Sequence, residues 1–429
     1  MSLPFELSQR AQRTPEPAIS WLMKYALDHP NCISLAAGFV DTETLPVRPV
    51  QASVDDLMSN PATGRAALQY GTTIGLPDLR RQIVERLAAD DGITEAANRV
   101  TADNVIVTSG SQQLLFLISD VLLNPGDIVL LGGPSYFVYM GILHSMGVVG
   151  RTVPMDGDGM DVDQLERILA EIDRAGQLSR VKLIYDVSYF QNPMGVSLSL
   201  PRRKRMLEII QKFSRDHRIF ILEDAAYKEL RFTEQGLPPI KKFDTSNEWV
   251  LYTSTFCKPF SAGMKTGFGV LPKEILEPVL RQKGNHDFGS ANLLQMIISR
   301  AIARGDYDRH LAVVRAGYRE KARVMGDAIR AHFPPQTKWY EPAGGIYIWA
   351  ELPAEIPTGP TSEFFTKALG RDVLYVPGEF CFYPDSQLAP CRSGMRLSYG
   401  VADSALVAEG IRRLGELARE MLGGQVAAK

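Results

Sequence analysis

Short apolar segments alternate with amphipathic helical patterns from residue 46 to about residue 283, and this alternation strongly limits the possible folds. Apolar, β-prone segments bounded by charged or turn residues are typical of strands buried on both faces. The helical segments carry one apolar stripe, formed in residues 75–89 by Leu79, Ile83 and Leu87. The pattern predicts an α/β fold with a mostly parallel sheet that is covered by helices on both faces.

The alternation ends near residue 290, and we predict four regions along the chain. Residues 1–45 form an N-terminal arm, and residues 46–290 form the large domain with the parallel sheet. Residues 291–330 have one long helical pattern that bridges to the C-terminal part. In residues 331–429, strands mix with helices, which predicts a smaller α+β domain.

Composition excludes several classes of protein. The chain has 429 residues and a formal net charge of −2, so it has no electrostatic footprint for nucleic acid or an anionic membrane. Its four cysteines are scattered without CxxC spacing, which argues against a zinc ribbon or a disulfide scaffold, and we predict no metal site. The N-terminus lacks the order of a signal peptide, and no apolar stretch is long enough to span a bilayer. We therefore expect a soluble cytoplasmic protein.

Two titratable side chains follow predicted strands. Lys258 comes after the apolar segment 249–252 and is surrounded by small hydroxylated residues. An amine becomes a nucleophile toward carbonyl groups once its pKa falls in a partly desolvated site near other cations. Asp224 and Tyr227 follow the apolar segment 219–222, at the strand end where open α/β sheets bind ligands. Taken singly, the lysine is equally well a surface residue and the aspartate a helix or turn cap.

Three further polar segments also follow strands. Residues 108–113 join a strand to a helix, and free amides and hydroxyls at a helix start can hold a phosphate. Asn192 lies in a turn after segment 181–185, and Tyr136 follows segment 127–131, where an aromatic ring can cover a flat heteroaromatic ring. Each alone also fits a capped helix, a loop or a core residue. Together with Lys258 and Asp224 they supply what a flat cofactor with a phosphate and a carbonyl group needs.

With these segments the chain resembles the fold-type-I pyridoxal-phosphate aminotransferases of class I/II. It is most similar to the branch of 2-aminoadipate and kynurenine aminotransferase-like enzymes. The likeness covers nearly the whole chain and includes residues 33–38, 68–71, 75–80, 108–113, 191–193, 223–227, 344–349 and 395–398. The resemblance implies pyridoxal 5'-phosphate as cofactor, bound between the large and small domains. It also implies that the arm packs with the small domain, and that two subunits form a homodimer with shared active sites.

The resemblance assigns roles at the cofactor ring to the residues of this chain that match the family's motifs. Lys258 resembles the Schiff-base lysine, which also carries the proton during catalysis. Asp224 resembles the partner of the pyridine nitrogen, and Tyr136 the ring-stacking aromatic. Asn192 and Tyr227 resemble the hydrogen-bond donors to the ring hydroxyl.

The phosphate end of the site carries over in the same way, with two departures. The residues that resemble phosphate ligands are Ser109, Gly110, Ser111, Gln112 and Thr255, with Tyr70 from the other subunit. Lys265 stands where the family has an arginine, so it keeps the charge and loses the planar fork. Cys257 stands where a serine is usual before the lysine, and its thiol hydrogen-bonds poorly. These departures predict weaker or differently oriented phosphate binding.

For the substrate, Arg396 resembles the arginine that clamps the α-carboxylate, a task that suits a guanidinium fork. Gly38 resembles the glycine whose backbone approaches the substrate, and we expect Asn192 to bind the substrate as well. Phe39 suggests an apolar or aromatic side-chain pocket, although such a residue could equally belong to the core.

The resemblance implies transfer of the amino group of an L-amino acid to a 2-oxo acid by a ping-pong mechanism. The expected donor is aromatic, long aliphatic or similar to 2-aminoadipate. One alternative is another reaction at the α-carbon on the same fold, by a decarboxylase, β-lyase, racemase or oxidase. A second is a non-catalytic sensor that binds the cofactor, which the lack of a basic helix-turn-helix segment ahead of the cofactor domain disfavours.

Overall fold

The computed structural model describes residues 5–14, 16–384 and 387–427. Its strands are β1 (Ile33–Ser34), β2 (Val105–Thr108), β3 (Ile128–Gly133), β4 (Val149–Asp156), β5 (Gly159–Met160), β6 (Val181–Val187), β7 (Phe220–Asp224), β8 (Val250–Thr255), β9 (Gly267–Val270), β10 (Lys338–Trp339), β11 (Tyr347–Glu351), β12 (Val373–Leu374), β13 (Val376–Pro377) and β14 (Gly394–Ser398). Its helices are α1 (Gln9–Arg13), α2 (Ala18–Asp28), α3 (Val47–Ser59), α4 (Pro61–Leu68), α5 (Pro77–Asp91), α6 (Glu95–Asn98), α7 (Gly110–Leu122), α8 (Phe137–Ser145), α9 (Val162–Arg174), α10 (Leu200–Phe213), α11 (Lys273–Asp287), α12 (Asn292–Ala303), α13 (Asp306–His332), α14 (Glu363–Leu369) and α15 (Ser404–Ala427).

The centre of the structure is an eight-stranded sheet in the order β2-β9-β8-β7-β6-β3-β4-β5. Strands β4, β3, β6, β7 and β8 pair in parallel, whereas β9 runs antiparallel between β8 and β2. The predicted α/β fold with a mostly parallel sheet is confirmed.

Helices cover both faces of this sheet, and alternate residues of each strand enter different cores. On β3, Val129 and Leu131 belong to one cluster of buried side chains, whereas Ile128 and Leu130 belong to the other. The second cluster includes buried residues of α9 and α10. Because successive strand side chains point to opposite faces, a strand that is apolar at every position must be covered on both sides.

A second, four-stranded antiparallel sheet has the order β10-β11-β14-β13 and comes from residues 338–398. The N-terminal arm meets this part of the chain directly, because β1 pairs in parallel with β12. The division of the chain into four regions stays a prediction. No helix in the described ranges is long and apolar enough to cross a membrane.

The sequence predicts one bridging helix over residues 291–330, and the structure differs from this prediction. The segment consists of two helices, α12 and α13, which are separated at Gly305. Gly305 has φ 71° and precedes the first residue of α13. Glycine adopts this left-handed conformation without the steric cost that a side chain brings, so the chain changes direction there.

A buried ion pair holds the start of β8. Lys241 is 1 % exposed, and its Nζ lies 3.0 Å from Asp244 Oδ2 and donates to the Val250 carbonyl oxygen at 2.8 Å. Asp244 in turn accepts the backbone N–H groups of Glu248, Trp249 and Val250, each at 3.0 Å. The turn before the central strand β8 is therefore fixed by one lysine and one aspartate.

We expect Lys241→Met to lower the free energy of unfolding by about 3–5 kcal/mol, because it leaves Asp244 buried without its cation. The measurement is chemical denaturation of the two proteins. The matched control is Lys212→Met, which breaks the exposed pair with Glu166 and should cost less than about 1 kcal/mol. Equal losses in the two variants would contradict this account.

Candidate active site

The parallel strands deliver their chemical groups to one edge of the sheet. The ends of β2, β3, β6, β7 and β8, together with the start of the antiparallel β9, lie at this edge. A cavity of about 450 Å³ opens there. The predicted site residues that line it are Gly38, Phe39, Gly110, Ser111, Gln112, Tyr136, Asn192, Asp224, Tyr227, Thr255, Lys258, Lys265 and Arg396. All the predicted site residues except Ser109 and Tyr70 are thus brought together.

Lys258 extends from the turn after β8 toward the arm. Its Nζ donates a hydrogen bond to the Gly38 carbonyl oxygen at 2.6 Å. The same nitrogen lies 5.9 Å from the centroid of the Tyr227 ring. A Cβ at position 38 would lie 2.6 Å from the Tyr347 hydroxyl, so only glycine lets the arm backbone come this close. The arm thus closes one wall of the cavity beside the amine.

Asp224 is the buried carboxylate of the cavity and is 4 % exposed. Oδ1 accepts the Ala226 N–H at 3.0 Å, and Oδ2 accepts the Tyr185 hydroxyl at 3.0 Å. Burial raises the pKa of Asp224 to about 6, while these two donors act to lower it and nearby Asp186 to raise it. Within the described residues, Asp224 forms no ion pair, so a cationic ligand group would restore its ordinary ionisation.

Arg396, on β14, is the buried cation of the cavity and is 1 % exposed. Its guanidinium donates to Asn192 Oδ1 at 3.0 Å and to the Ala36 carbonyl oxygen at 2.6 Å. Both acceptors are neutral, and Nε has no hydrogen-bond partner. The described residues supply no carboxylate within ion-pair distance of Arg396. A buried guanidinium that has only neutral hydrogen-bond acceptors suits a carboxylate ligand.

Two tyrosines form the aromatic walls. The Tyr136 hydroxyl donates to Gln112 Oε1 at 3.2 Å, and burial raises the pKa of Tyr136. The hydroxyl of Tyr227 lies 3.4 Å from that of Tyr347, and their rings meet edge to face. The Tyr347 ring also lies under the Arg396 guanidinium, 4.4 Å from centroid to carbon. Burial raises the pKa of both Tyr136 and Tyr227, so their hydroxyls are protonated donors at neutral pH.

The opposite end of the cavity suits an anion. The N-terminus of α7 begins at Gly110, and the first amides of a helix have no partner within the helix. A Cβ at Gly267 would collide with the Ser111 nitrogen, so β9 presses directly against this turn.

Lys265 is exposed and lies at the cavity rim with φ 49°. Cys257 Sγ lies 3.8 Å from the Thr266 carbonyl oxygen, a weak contact.

Two predicted residues lie outside the cavity lining. Ser109 precedes α7, and its backbone N–H donates to Gln113 Oε1 at 2.8 Å. Tyr70 is 84 % exposed, and its ring meets that of Phe288 edge to face with 5.7 Å between centroids. The roles predicted for them stay predictions.

Sequence reasoning missed several lining residues. Ile19 and Met23 of α2 reach the cavity from the arm, and Phe137 and Val138 reach it from the start of α8. Tyr347 also lines the cavity, where it contacts Tyr227 and Arg396. The apolar spacing of residues 19 and 23 could have indicated a covered helix face, but not what lies beneath it.

A larger cavity of about 970 Å³ adjoins the first and shares Gln112, Phe137 and Val138 with it. It lies between the arm, α8 and the segment after β13. Its lining is mostly apolar and includes Met140, Phe380 and Phe382. The titratable residues in this lining are Glu16, His144, Glu379 and Tyr383, so the described lining has no arginine or lysine.

These groups fit pyridoxal 5'-phosphate. The cavity has an amine at Lys258, a buried carboxylate without a cation at Asp224, and a flat aromatic side chain at Tyr136. At one end, the start of α7 and Lys265 suit a phosphate. Among the described residues, no group of three or more His, Cys, Asp or Glu side chains is arranged to hold a metal ion.

Comparison with known proteins shows that the chain is similar to aminotransferases in sequence and in structure. The profile of the family "Aminotransferase class I and II" matches residues 30–414. An uncharacterized aminotransferase of Saccharolobus solfataricus is 36% identical over 91% of this chain and 92% of its own. A 2-aminoadipate transaminase of Thermus thermophilus is 31% identical over 96% of each chain. The crystal structure of Pyrococcus horikoshii kynurenine aminotransferase with PMP superposes with a TM-score of 0.88, at 31% identity over 97% of each chain.

The buried carboxylate predicts a pH-dependent stability difference for the cofactor-free protein. Asp224 is protonated more readily in the folded state, with a pKa of about 6 instead of 3.8. Its effect on stability is therefore most favourable below pH 4 and is lost as the pH rises through 6. We expect Asp224→Asn to gain stability relative to wild type between pH 4 and pH 7, by about 3 kcal/mol at most. Thermal denaturation across this range measures the gain, and a pH-independent difference would contradict the assignment.

Proposed function

The chain belongs to the aminotransferase class I and II family, and we propose that it moves the amino group of a large, uncharged L-amino acid to a 2-oxo acid by a ping-pong cycle. The cofactor is pyridoxal 5'-phosphate. The observation that carries the proposal is the pair of complementary, unpaired charges in one cavity. Among the residues that the structure describes, Asp224 has no cationic partner and Arg396 has no anionic partner. A protonated ring nitrogen and an amino-acid carboxylate would supply them.

We propose that the cofactor is held by the residues that the resemblance indicates. Pyridoxal phosphate, when bound, supplies a protonated ring that withdraws electrons from the bonds of the substrate α-carbon. Lys258 would hold it covalently through Nζ. Asp224 would keep the proton on the ring nitrogen, and Tyr136 would cover the ring. Asn192 and Tyr227 would face its hydroxyl group.

The phosphate would lie at the start of α7. The proposed ligands there are Ser109, Gly110, Ser111, Gln112, Thr255 and Lys265. The exposed Lys265 supplies a point charge without a rigid fork, so the helix N-terminus carries most of the orientation of the phosphate. Cys257 contributes little, because its thiol is a weak donor and already faces the Thr266 carbonyl oxygen.

Arg396 would bind the substrate α-carboxylate through Nε and an adjacent N–H group. Its hydrogen bond to Asn192 Oδ1 fixes the guanidinium plane before substrate arrives, which lowers the entropy cost of a bidentate contact. Lys258 Nζ, once free, would take the proton from the α-carbon and return it as a general acid. The hydrogen bond from Nζ to the Gly38 carbonyl oxygen shows a position from which the amine reaches the arm side of the cavity.

The side chain of the donor would enter the larger adjoining cavity. Its apolar lining favours aromatic or long aliphatic side chains, which gain stability by leaving water. The described residues of its lining offer no lysine or arginine to a second carboxylate, so donors like 2-aminoadipate rank behind uncharged ones. Phe39 and Gly38 line the smaller cavity, and they would contact the substrate on the arm side before its side chain enters the larger one.

The competing reactions are not favoured. A decarboxylase, β-lyase, racemase or oxidase would use the same cavity, but the matching family model and the two relatives named above are aminotransferases. A sensor without catalysis is not favoured for the same reason.

We also propose a homodimer with shared active sites. Tyr70 and Phe288 are exposed aromatic residues in contact with each other, and Leu68 nearby is also exposed. Exposed apolar residues of this size commonly mark a protein interface. In the dimer, Tyr70 would reach the phosphate of the partner subunit. The cytoplasmic location expected from the sequence belongs to the same proposal.

The test of the proposed function is a half-reaction. Protein loaded with pyridoxal phosphate is mixed with one amino acid at a time, without an oxo acid. We expect the visible absorption band to bleach with a large uncharged donor, with release of a stoichiometric amount of 2-oxo acid. Addition of a second oxo acid should restore the band.

The control is a pair of lysine substitutions. Lys258→Ala should slow the half-reaction by about 10³-fold or more, because it removes the nucleophile and the proton carrier together. Lys204→Ala, on the exposed face of α10, should leave the rate unchanged. Carbon dioxide or ammonia in place of oxo acid would sink the transamination proposal.

The larger cavity predicts a change of donor preference when it is narrowed. A Cβ at Gly141 would have no heavy atom within 4 Å, and the residue lines the cavity. We expect Gly141→Leu to lower kcat/KM for a bulky donor by roughly tenfold, the cost of losing about one hydrophobic contact. The value for alanine should change less than about twofold. Gly141→Ala, which adds one carbon atom, is the matched control, and equal losses for large and small donors would place the side chain elsewhere.

A further inference from the structure

A tyrosine on the neighbouring strand supports the buried carboxylate of the cavity. Tyr185 lies on β6 and is fully buried, and its hydroxyl donates to Asp224 Oδ2 at 3.0 Å. In the parallel register of β6 and β7, Tyr185 lies opposite Leu222, and Val187 lies opposite Asp224. Tyr185 and Asp224 are therefore diagonal neighbours on the same face of the sheet. Tyr185 does not line the cavity.

The two hydrogen-bond donors to Asp224 are both neutral, and one is a backbone group whereas the other is a side chain. One is the backbone N–H of Ala226, which no side-chain substitution removes, and the other is the Tyr185 hydroxyl. The nearby charge that acts on this carboxyl is Asp186, which is also negative. Burial raises the pKa of Tyr185 far above neutral pH, so its hydroxyl keeps the proton that it donates. Tyr185 is thus the side chain that favours an ionised Asp224.

The orientation of Tyr185 is itself fixed by packing. Its ring lies 4.1 Å, centroid to centroid, from the ring of Tyr139 on α8. Tyr139 is equally buried, and its hydroxyl meets Ser119 Oγ at 3.0 Å. The two tyrosines therefore share one core region, but only one of them touches Asp224.

We propose that Tyr185 is a positioning residue that keeps Asp224 ionised and turned toward the cofactor's ring nitrogen. This inference rests on the proposed function. With Oδ1 held by Ala226 and Oδ2 held by Tyr185, rotation of the carboxylate plane would break a hydrogen bond, and Asp224 lines the cavity in this orientation. Loss of the tyrosine hydroxyl would leave one buried carboxylate oxygen without a donor, at a cost that falls on the state with charged Asp224.

The experiment is a titration of cofactor-free protein with pyridoxal 5'-phosphate, followed by the visible absorption band. We expect Tyr185→Phe to raise the Kd for the cofactor by about 10- to 100-fold, which corresponds to one hydrogen bond to a charged group. Tyr139→Phe removes an equally buried hydroxyl from the same core and should change the Kd by less than about twofold. Equal effects of the two substitutions would show a packing role and overturn the inference.

A double-mutant cycle tests whether Tyr185 acts through Asp224. In protein with Asp224→Asn, the added Tyr185→Phe change should alter the Kd by less than about threefold, because no charge remains to support. A loss of affinity as large as in the wild-type background would overturn the inference. This comparison in the Asp224→Asn background also tests the inference if the single Tyr185→Phe variant fails to fold. Wild-type protein that binds no pyridoxal phosphate would overturn the proposed function. Normal binding by wild type and by Tyr185→Phe would overturn the inference alone.

Discussion

The parallel pairing of β3, β6, β7 and β8 is the constraint on which the site depends. Parallel strands all end at the same edge, so four chain segments far apart in sequence deliver their next residues to one place. Because the strands are buried on both faces, a shift of register by one residue would turn apolar side chains to the wrong core. The positions of Asp224 and Lys258 thus follow from the same forces that stabilise the sheet.

Two buried charges of opposite sign set the chemistry of the cavity. Asp224 is held by neutral donors and Arg396 by neutral acceptors, and the two are not paired with each other. Burial of unpaired charges costs free energy, and the protein bears this cost twice in one site. A ligand with a cationic ring nitrogen and an anionic carboxylate group relieves both costs at once. The free-energy cost of burying these two unpaired charges is recovered when such a ligand binds, and this recovery would contribute to affinity.

Much of the site could be predicted from the sequence, because its residues follow strands directly. Asp224, Asn192 and Lys258 each stand a short distance after an apolar segment, and strand ends are visible in one dimension. The contact between Tyr185 and Asp224 could not be predicted, since it depends on which strands are neighbours and on their register. The reach of Ile19 and Met23 into the cavity depends on where the arm packs. The break at Gly305 was missed because the apolar pattern continues across it.

The phosphate end shows how backbone packing decides what a side chain must do. Gly267 lets β9 press against the first turn of α7, so the loop before it passes over the helix start and leaves Lys265 exposed with φ 49°. An exposed cation on a flexible stem cannot impose one orientation on a phosphate. The backbone amides of α7 are rigid, and they are aligned by the helix itself. In the proposed phosphate site, the helix and not the loop would set the direction of phosphate binding, so a point charge at position 265 would suffice in place of a fork.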